Sequence, residues 1–441
     1  MVPFVRTRLS AMMLLFYASL GAWAVTAGTY LGKPHGEGGL GFSEAQVGWI
    51  FSTFAIGGLI ANPFVGVLVD RLFRAERVFG VASIIGGSFL VAARSWCQSC
   101  ELSLQPDSDS AAIESAFRIL FAIMLAYSVF LQIALPLCTV LSLRNLPDPT
   151  MQFSRTRMWG TIGWIAIGLL LPLLVAVRSA DPFGLAGLIM IACGAYGLTL
   201  PTTRPKGTAK GLTEAFGVPA LKMFRKRSFG VYLAVAFALA VLNQFYAVHG
   251  HRFLTERGWN HPEQWMTFGQ IVEVGCMFAI PMLKPKESMK WLMLAGALGG
   301  ALRGAALAWG SDWMVFAVGV PMHGWHFALY FIVAATYVDR EAPGHLRGSA
   351  QAIGAFVNGG LGPLIGNRLA ALVLESGRID GQFDWTAFWL WPLVGCLLAS
   401  LAFLIGFRTP PQLISVPSAL VEPPHPGVEA FDDALLPMPK A

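Results

Sequence analysis

The sequence contains about twelve apolar runs of roughly 20 residues each, the length that a helix needs to cross the hydrocarbon core of a bilayer. They are centred near Phe16, Ala55, Ile85, Leu125, Ile165, Ile191, Ala238, Met277, Ala297, Val320, Asn358 and Val394. The mean hydropathy is +0.60 and charged residues make up 13 % of the chain, about half the share found in soluble proteins. The sequence therefore predicts an all-α membrane protein with twelve transmembrane helices, and the net charge of +6 is no sign of nucleic-acid binding.

One long internal connector divides the chain. Residues 201–228 carry a cluster of basic residues around a short amphipathic piece, which predicts a cytoplasmic linker with a helix on the membrane surface. We therefore expect one six-helix half in residues 1–200, the linker in 201–228 and a second six-helix half in 229–408. Residues 409–441 are rich in proline and are expected to be a disordered tail.

The distribution of basic residues predicts the orientation. The predicted outer loops hold only Lys33, Arg94, Arg178, Arg252, Arg257 and Arg378, and most other basic residues fall in segments on the side of the linker. Because cytoplasmic loops are enriched in lysine and arginine, we expect both termini in the cytoplasm.

The fifth apolar run begins with a cationic stripe. Asp148 and Pro149 form a helix start, since a capping carboxylate precedes a proline at the first helical position. Arg157, Thr161 and Trp164 then follow at i, i+4 and i+7, so they share one face of the helix. A cation this far inside a membrane helix is costly unless it faces water, a counter-ion or a ligand.

The opposite charge occurs in the eighth run. Gln270 and Glu273 are spaced i, i+3 and share a face, and Glu273 is the only acidic residue deep in any run. Burial opposes ionisation of such a carboxyl while a nearby arginine favours it, so it can bind and release a proton. The residues leave two interpretations open, a proton carrier in a shared aqueous cavity with Arg157 and a static structural ion pair with it.

Other runs contain further polar or aromatic candidates. Gln244 in the seventh run is expected to point inward, as cavity lining or as a hydrogen bond between helices. His323 and Phe327 lie on one stripe of the tenth run, where a histidine is a candidate for proton or ligand binding. Arg303 is expected to extend toward the membrane surface, with cavity lining as the alternative, and Arg368 is expected to extend outward.

Metal and enzyme chemistry have little support. Cys97 and Cys100 form a C-x-x-C in a predicted loop, and we expect an ordinary or disulfide-bonded pair, since a metal site needs two more ligands. His249 and His251 lack a third ligand nearby in the sequence. No nucleophile–base or metal constellation occurs among the runs, so no cofactor, no metal and no enzymatic activity are expected.

A charged motif and several longer ones carry a family resemblance. Gly66, Asp70 and Arg71 form G-x-x-x-D-R between the second and third runs, the loop signature of the major facilitator superfamily, although an ordinary charged turn is the alternative. The chain resembles the bacterial nucleoside:proton symporters of that superfamily, of the nucleoside permease G type, from residue 20 to residue 407. The pieces that carry the likeness are Gly21-x-Trp23 with Thr26-x-Gly28-x-Tyr30, Arg157-Met158-Trp159-Gly160-Thr161-Ile162-Gly163, Gln270-Ile271-Val272-Glu273, Ser349-Ala350-Gln351, Asn358-Gly359 and Asp384-Trp385.

The resemblance implies a major facilitator fold of two six-helix halves with a nucleoside site between them. The implied substrate-binding residues are Arg157, Thr161, Trp164, Gln244, Gln270, Glu273, His323 and Phe327. Amides and arginine can hydrogen-bond ribose hydroxyls and base edges, and Trp164 or Phe327 can stack on the base.

The chain departs from the family pattern at three positions. Ala247 replaces an asparagine, His323 a tyrosine, and Ala328 an aspartate that the family associates with proton coupling. We therefore expect Glu273 and His323 to handle the proton together.

The expected function is proton-coupled nucleoside uptake by alternating access. The protein is expected to be a monomer in the cell (inner) membrane, with lipid, nucleoside and protons as partners and no nucleic acid. Two alternatives remain: a facilitator for another polar metabolite such as a sugar, and a membrane sensor that binds a ligand without moving it.

Overall fold

A computed structural model describes residues 4–104, 109–147, 149–205, 218–283, 285–343 and 346–408. Almost all of them are helical. Below, the face that holds the start of the first helix and the end of the last is called the terminal face, and the opposite one the far face.

The first half of the chain forms six spans. Their helices are α1 (Val5–Ala24), α2 (Ala27–Gly32), α3 (Glu44–Val67), α4 (Ala75–Ser103), α5 (Ser110–Asn145), α6 (Pro149–Leu174) and α7 (Asp181–Gly197). Helices α1 and α2 make up the first span, and a π-helical turn, Leu68–Leu72, follows α3. Ser43 and Gln46 form a capping box at the start of α3. Helix α6 begins at Pro149 as predicted, while Asp148 lies outside the described residues.

The second half forms the other six spans after a short 3-10 helix, Val218–Arg225. Its helices are α8 (Arg227–Glu256), α9 (Pro262–Ala279), α10 (Pro285–Trp309), α11 (Asp312–Met314), α12 (Pro321–His326), α13 (Val333–Glu341), α14 (Arg347–Ala355), α15 (Gly362–Ser376) and α16 (Trp385–Gly406). Helices α11 to α13 form the tenth span with π-helical segments at Val315–Gly319 and Phe327–Ile332, and α14 and α15 form the eleventh with one at Phe356–Leu361. A hairpin of β1 (Arg378–Ile379) and β2 (Gln382–Phe383) precedes α16, which Asp384 caps as predicted.

Membrane-spanning length is widespread in the described residues. Nine helical segments are long and apolar enough to cross a membrane, and the shorter apolar helix α7 adds another. One buried apolar cluster is built from side chains between Leu9 and Leu200 with Val248, and two others lie in the second half. The predicted all-α arrangement of twelve spans is confirmed.

One local expectation was wrong, and three others lie outside the described residues. Cys97 and Cys100 lie within α4, not in a loop, and their thiols are buried and free. Along this stretch the hydroxyls of Ser95 and Ser99 donate to carbonyls of the preceding turn, Val91 O and Ser95 O. The loop-signature side chains of Gly66, Asp70 and Arg71 lie outside what the structure describes, as do residues 206–217 of the expected linker and the tail from 409.

Candidate functional site

Helix α6 is held against α1 by its glycines. A Cβ atom added at Gly160 would lie 2.7 Å from the Tyr17 ring, and Gly163 lies directly against the Leu14 backbone. The neighbouring face of α6 bears the half-buried Arg157, Thr161 and Trp164, and the Trp164 ring packs on α1, where a Cβ atom added at Gly21 would lie 3.2 Å from it. The Arg157 guanidinium lies over the Tyr17 ring, 4.1 Å from its centroid, so a cation–π contact positions the charge.

Helix α6 meets α9 of the other half near the far face. A Cβ atom at Gly168 would lie 2.5 Å from Thr267 Cγ2, and Gln264 Nε2 donates to Leu169 O at 2.8 Å. The two helices are antiparallel, so on both of them the distance from this contact gives the depth of a residue below the far face.

The depth of each predicted residue follows from the helical rise. Counting from Gly168 and Thr267 at 1.5 Å per residue, Thr161 lies about 10 Å deep and Glu273 about 9 Å, while Trp164 lies about 6 Å deep and Gln270 about 4.5 Å. Arg157 is deeper still, at about 16 Å. Trp164 and Gln270 therefore lie at similar depths on the two helices, as do Thr161 and Glu273.

Arg157 and Glu273 are close but not bonded. Arg157 acts electrostatically on Glu273, yet the ion pairs within 4 Å that the described residues form do not include these two. Their offset in depth explains the gap. Glu273 is half-buried on α9, and its carboxylate forms no hydrogen bond or ion pair with another described residue.

His323 and Phe327 lie on the neighbouring tenth span. Gly324 packs directly against the backbone of Gly269 and Glu273, and a Cβ atom at Gly269 would lie 3.4 Å from His323 Cβ. His323 therefore shares the depth of Gln270, and Phe327 begins the π-helical segment one turn deeper. Ala328, where the family resemblance implies an aspartate, is fully buried.

Gln244 faces a different helix. Its Nε2 donates to Ala240 O at 3.3 Å, and its side chain lies against Gly366 of α15. The structure brings the other seven predicted residues to α6, α9 and the tenth span, whereas Gln244 is held at the α8–α15 contact.

Sequence reasoning misplaced Arg303. This side chain is 2 % exposed and does not extend to the surface. Its Nη1 donates to Asn243 Oδ1 at 3.2 Å and lies 3.2 Å from His323 Nδ1, and its guanidinium lies 4.9 Å from the Tyr246 ring centroid. The sequence signal was the Gly299-Gly300 and Gly304 pattern around it, which is typical of a tightly packed helix face rather than a lipid-facing one.

Arg368 makes a contact between the halves that the sequence did not predict. It donates to Ala45 O at 2.8 Å and lies over the Trp49 ring, so it links α15 to α3 across the interface between the halves. An arginine near a span end can reach across to another helix as well as to the lipid surface, and the sequence does not distinguish the two.

A polar network joins the two halves at the far face. Glu44 on α3 forms an ion pair with Arg252 on α8, which also bonds Glu256 at 2.8 Å. Thr29 lies 2.7 Å from His251 Nδ1, and Glu263 Oε2 lies 3.1 Å from His251 Nε2. No group of three potential metal ligands occurs in the described part of the chain, so His251 serves as a hydrogen-bonding bridge.

The interface opens toward the terminal face. A cavity of about 580 Å³ lies between α3 and α5 of the first half and α14 with its π-helical segment in the second, and none of the eight predicted residues is among its lining residues. Gln132, Arg144 and Asn62 are its polar lining. Trp23 does not line it, because this side chain is buried with Nε1 donating to Tyr127 Oη at 3.1 Å.

A family model described as nucleoside H+ symporter matches residues 4–104 and 108–412. Among characterised sequences, the chain is 30 % identical to the putative nucleoside transporter YegT of Escherichia coli K12, over 91 % of this chain and 93 % of that protein. It is 25 % identical to the xanthosine permease of the same organism, over 91 % and 95 % of the two chains.

Solved structures agree on the fold. A crystal structure of the nucleoside transporter NupG, in a mutant form, superposes with a TM-score of 0.80 at 21 % identity, covering 92 % of this chain and all of that one. The matching family and these neighbours are transporters rather than enzymes.

Proposed function

The chain belongs to the nucleoside H+ symporter family, a family of proton-coupled nucleoside transporters in the membrane, and we propose that α6, α9 and the tenth span carry its substrate and proton site. The observation that supports this proposal is the contact of α6 with α9 at Gly168 and Thr267. Counted from this contact, Thr161 and Glu273 lie at similar depths on the two halves, and so do Trp164 and Gln270. A ligand between them would touch both halves, as alternating access requires.

The chemistry of these groups suits a nucleoside. Arg157, Thr161 and Gln270 offer donors and acceptors for ribose hydroxyls and base edges, while Trp164 and the partly exposed Phe327 offer flat surfaces for the base. A few placed polar groups on aromatic walls are typical of sites for small ligands.

Glu273 is the proposed proton carrier. It lies near Arg157 without a direct ion pair, so its carboxylate is free to accept a proton or a substrate hydroxyl. When it ionises, the nearby guanidinium stabilises the charge, and when it binds a proton, the penalty for a buried charge is removed.

The proposed state is open to the cytoplasm. The far face is closed by the contacts of Glu44, Arg252 and Arg368, and the described cavity opens toward the terminal face. The few basic residues of the far-face loops support a cytoplasmic terminal face. We further propose that the protein works as a monomer in the cell inner membrane.

The test is uptake into proteoliposomes of labelled uridine or adenosine with an inward proton gradient. The wild type should accumulate label, and a protonophore should abolish the accumulation. Glu273→Gln should keep nucleoside exchange but lose gradient-driven accumulation. Glu375→Gln is the matched control, since this exposed carboxylate pairs with Arg378 of the same half at the far face.

Three outcomes would overturn the proposal. Uptake by the wild type that ignores the gradient would indicate a facilitator, and preferential uptake of a sugar would indicate a different substrate. Binding without any flux would indicate a sensor. Accumulation by Glu273→Gln equal to that of Glu375→Gln would remove Glu273 from the mechanism.

A further inference from the structure

Arg303 carries a buried charge whose contacts are neutral groups. Its partners are the amide oxygen of Asn243, the imidazole of His323 and the ring of Tyr246. The ion pairs formed by the described residues do not include Arg303. A fully buried guanidinium without a carboxylate is rare, and it strongly affects every titratable neighbour.

The packing around Arg303 keeps this charge in place. A Cβ atom at Gly300 would lie 2.9 Å from Cys396 Sγ and 3.1 Å from His326 Nδ1. A Cβ atom at Gly304 would lie 2.8 Å from Leu393 N. Helices α12 and α16 therefore pack on the same turns of α10, and they separate the Arg303 side chain from the membrane surface.

The contact with His323 determines which imidazole nitrogen holds the proton. A guanidinium has only donors and does not lose its proton in proteins. His323 Nδ1, 3.2 Å from Arg303 Nη1, must therefore be the acceptor, and the proton of the neutral ring lies on Nε2. A second proton on Nδ1 would remove the acceptor and place two cations side by side.

No neighbouring group offsets that repulsion in the described part of the chain. From α8 the Tyr246 ring faces His323 at 5.1 Å, and from α9 the backbone at Gly269 packs on it. On its own helix His326 bonds Gly296 O at 2.7 Å. The carboxylate on α9, Glu273, interacts with Arg157 instead.

We propose that Arg303 is a positioning residue that holds His323 in its neutral Nε2–H form. His323 then donates a hydrogen bond from Nε2 to an acceptor on the substrate and does not bind the transported proton. His323 is partly exposed whereas Arg303 is buried, and Nε2 has no hydrogen-bond partner among the described residues. The ligand class is therefore a nucleoside with an acceptor atom at this position, and this identification rests on the proposed function.

Histidine NMR on the detergent-solubilised protein tests the charge state directly. The chain has eight histidines, so ¹⁵N-histidine labelling with His323→Gln as the assignment variant isolates one signal. In the wild type this signal should remain that of a neutral ring from pH 8 to 5.5. In Arg303→Gln it should titrate, reaching about 90 % protonated at pH 5.5 if the ring regains its ordinary behaviour. Arg303→Lys keeps the cation and should keep the ring neutral.

Titration of the wild-type signal within this range would overturn the proposal, and so would a neutral ring in folded Arg303→Gln. If Arg303→Gln does not fold, the wild-type titration alone decides. These spectra need no substrate, so a failure of nucleoside transport would leave the charge state that they assign to His323 unchanged.

Binding and uptake separate donation from proton carrying. Glutamine can donate from the same place as Nε2–H and leucine cannot, so His323→Gln should bind nucleoside within about threefold of wild type and His323→Leu about tenfold more weakly. Both variants should keep the pH dependence of uptake that Glu273→Gln loses. A changed pH dependence in His323→Gln would assign the proton to His323 and overturn the proposal.

Discussion

Removing the buried carboxylate of Glu44 should open the far face. Glu44 is 2 % exposed at the start of α3, and its partners Arg252 and His249 both lie on α8 of the other half. In Glu44→Gln the side chain keeps its size but loses its charge. The variant therefore weakens a contact that exists only while the halves meet at this face.

The size of the effect follows from the burial of the pair. Breaking a buried ion pair on one side costs about 3–5 kcal/mol. Arg252 keeps Glu256 at 2.8 Å and its side chain is 11 % exposed, so we expect about 2 kcal/mol, or roughly a thirtyfold shift in the equilibrium. A far-face-open population of about 1 % would rise to roughly a fifth.

Double electron–electron resonance between spin labels at residues 37 and 380 measures this population. Both positions lie at the far face, one in each half. Cys276 is the only described cysteine that is not buried, so Cys276→Ser removes the native cysteine most accessible to the spin label. Glu44→Gln should add a longer-distance population, and the control Glu375→Gln should not. Identical distance distributions in the two variants would refute the assignment of Glu44 as a far-face lock.

Two further changes test the site itself. Gly168→Leu should abolish uptake without abolishing expression, because the leucine side chain would collide with Thr267 and keep α6 and α9 apart at the far face. The control is Gly275→Ala on α9, where an added Cβ atom has nothing within 4 Å. Equal uptake by the two variants would contradict the contact. Trp164→Ala should weaken nucleoside binding about three- to tenfold through lost stacking, whereas Trp164→Phe should stay within about threefold, as measured by isothermal titration; equal losses in the two would show that the ring does not stack on the base.

The architecture was predictable because lipid constrains the sequence strongly. A bilayer requires apolar runs of near-constant length, and these indicated twelve spans whose observed helices start and end close to the predicted positions, as at Pro149 and Trp385. The stripe of Arg157, Thr161 and Trp164 was also predictable, since helical spacing alone puts it on one face. How close these residues come to Glu273 depends on the depth at which two helices cross, which spacing does not determine.

Arginines within spans were the weakest predictions. Arg303 and Arg368 have the same local pattern as an arginine that extends to the lipid surface, and only the contacts of other helices decide which occurs. Glycines on the same turn as Arg303 were the available signal, because they indicate a helix face covered by backbone. The C-x-x-C at Cys97 was misplaced for a different reason: a helix can continue beyond the membrane, where hydropathy no longer marks its end.

The far-face contacts have a composition that suits a barrier that must open and close. Within each half the helices meet through buried apolar side chains, which are held together in lipid by van der Waals packing and not by removal from water. Between the halves, Thr29 with His251 and Arg368 with Ala45 O are hydrogen bonds, each with a net contribution of about 0.5–1.5 kcal/mol because water replaces the partner when it breaks. A few such bonds and one ion pair hold the face closed by a few kcal/mol, which binding of a nucleoside and a proton can offset. A barrier of apolar contacts that water reaches on opening would cost about 1.5–3 kcal/mol for each side chain that it exposes, so it would be harder to open.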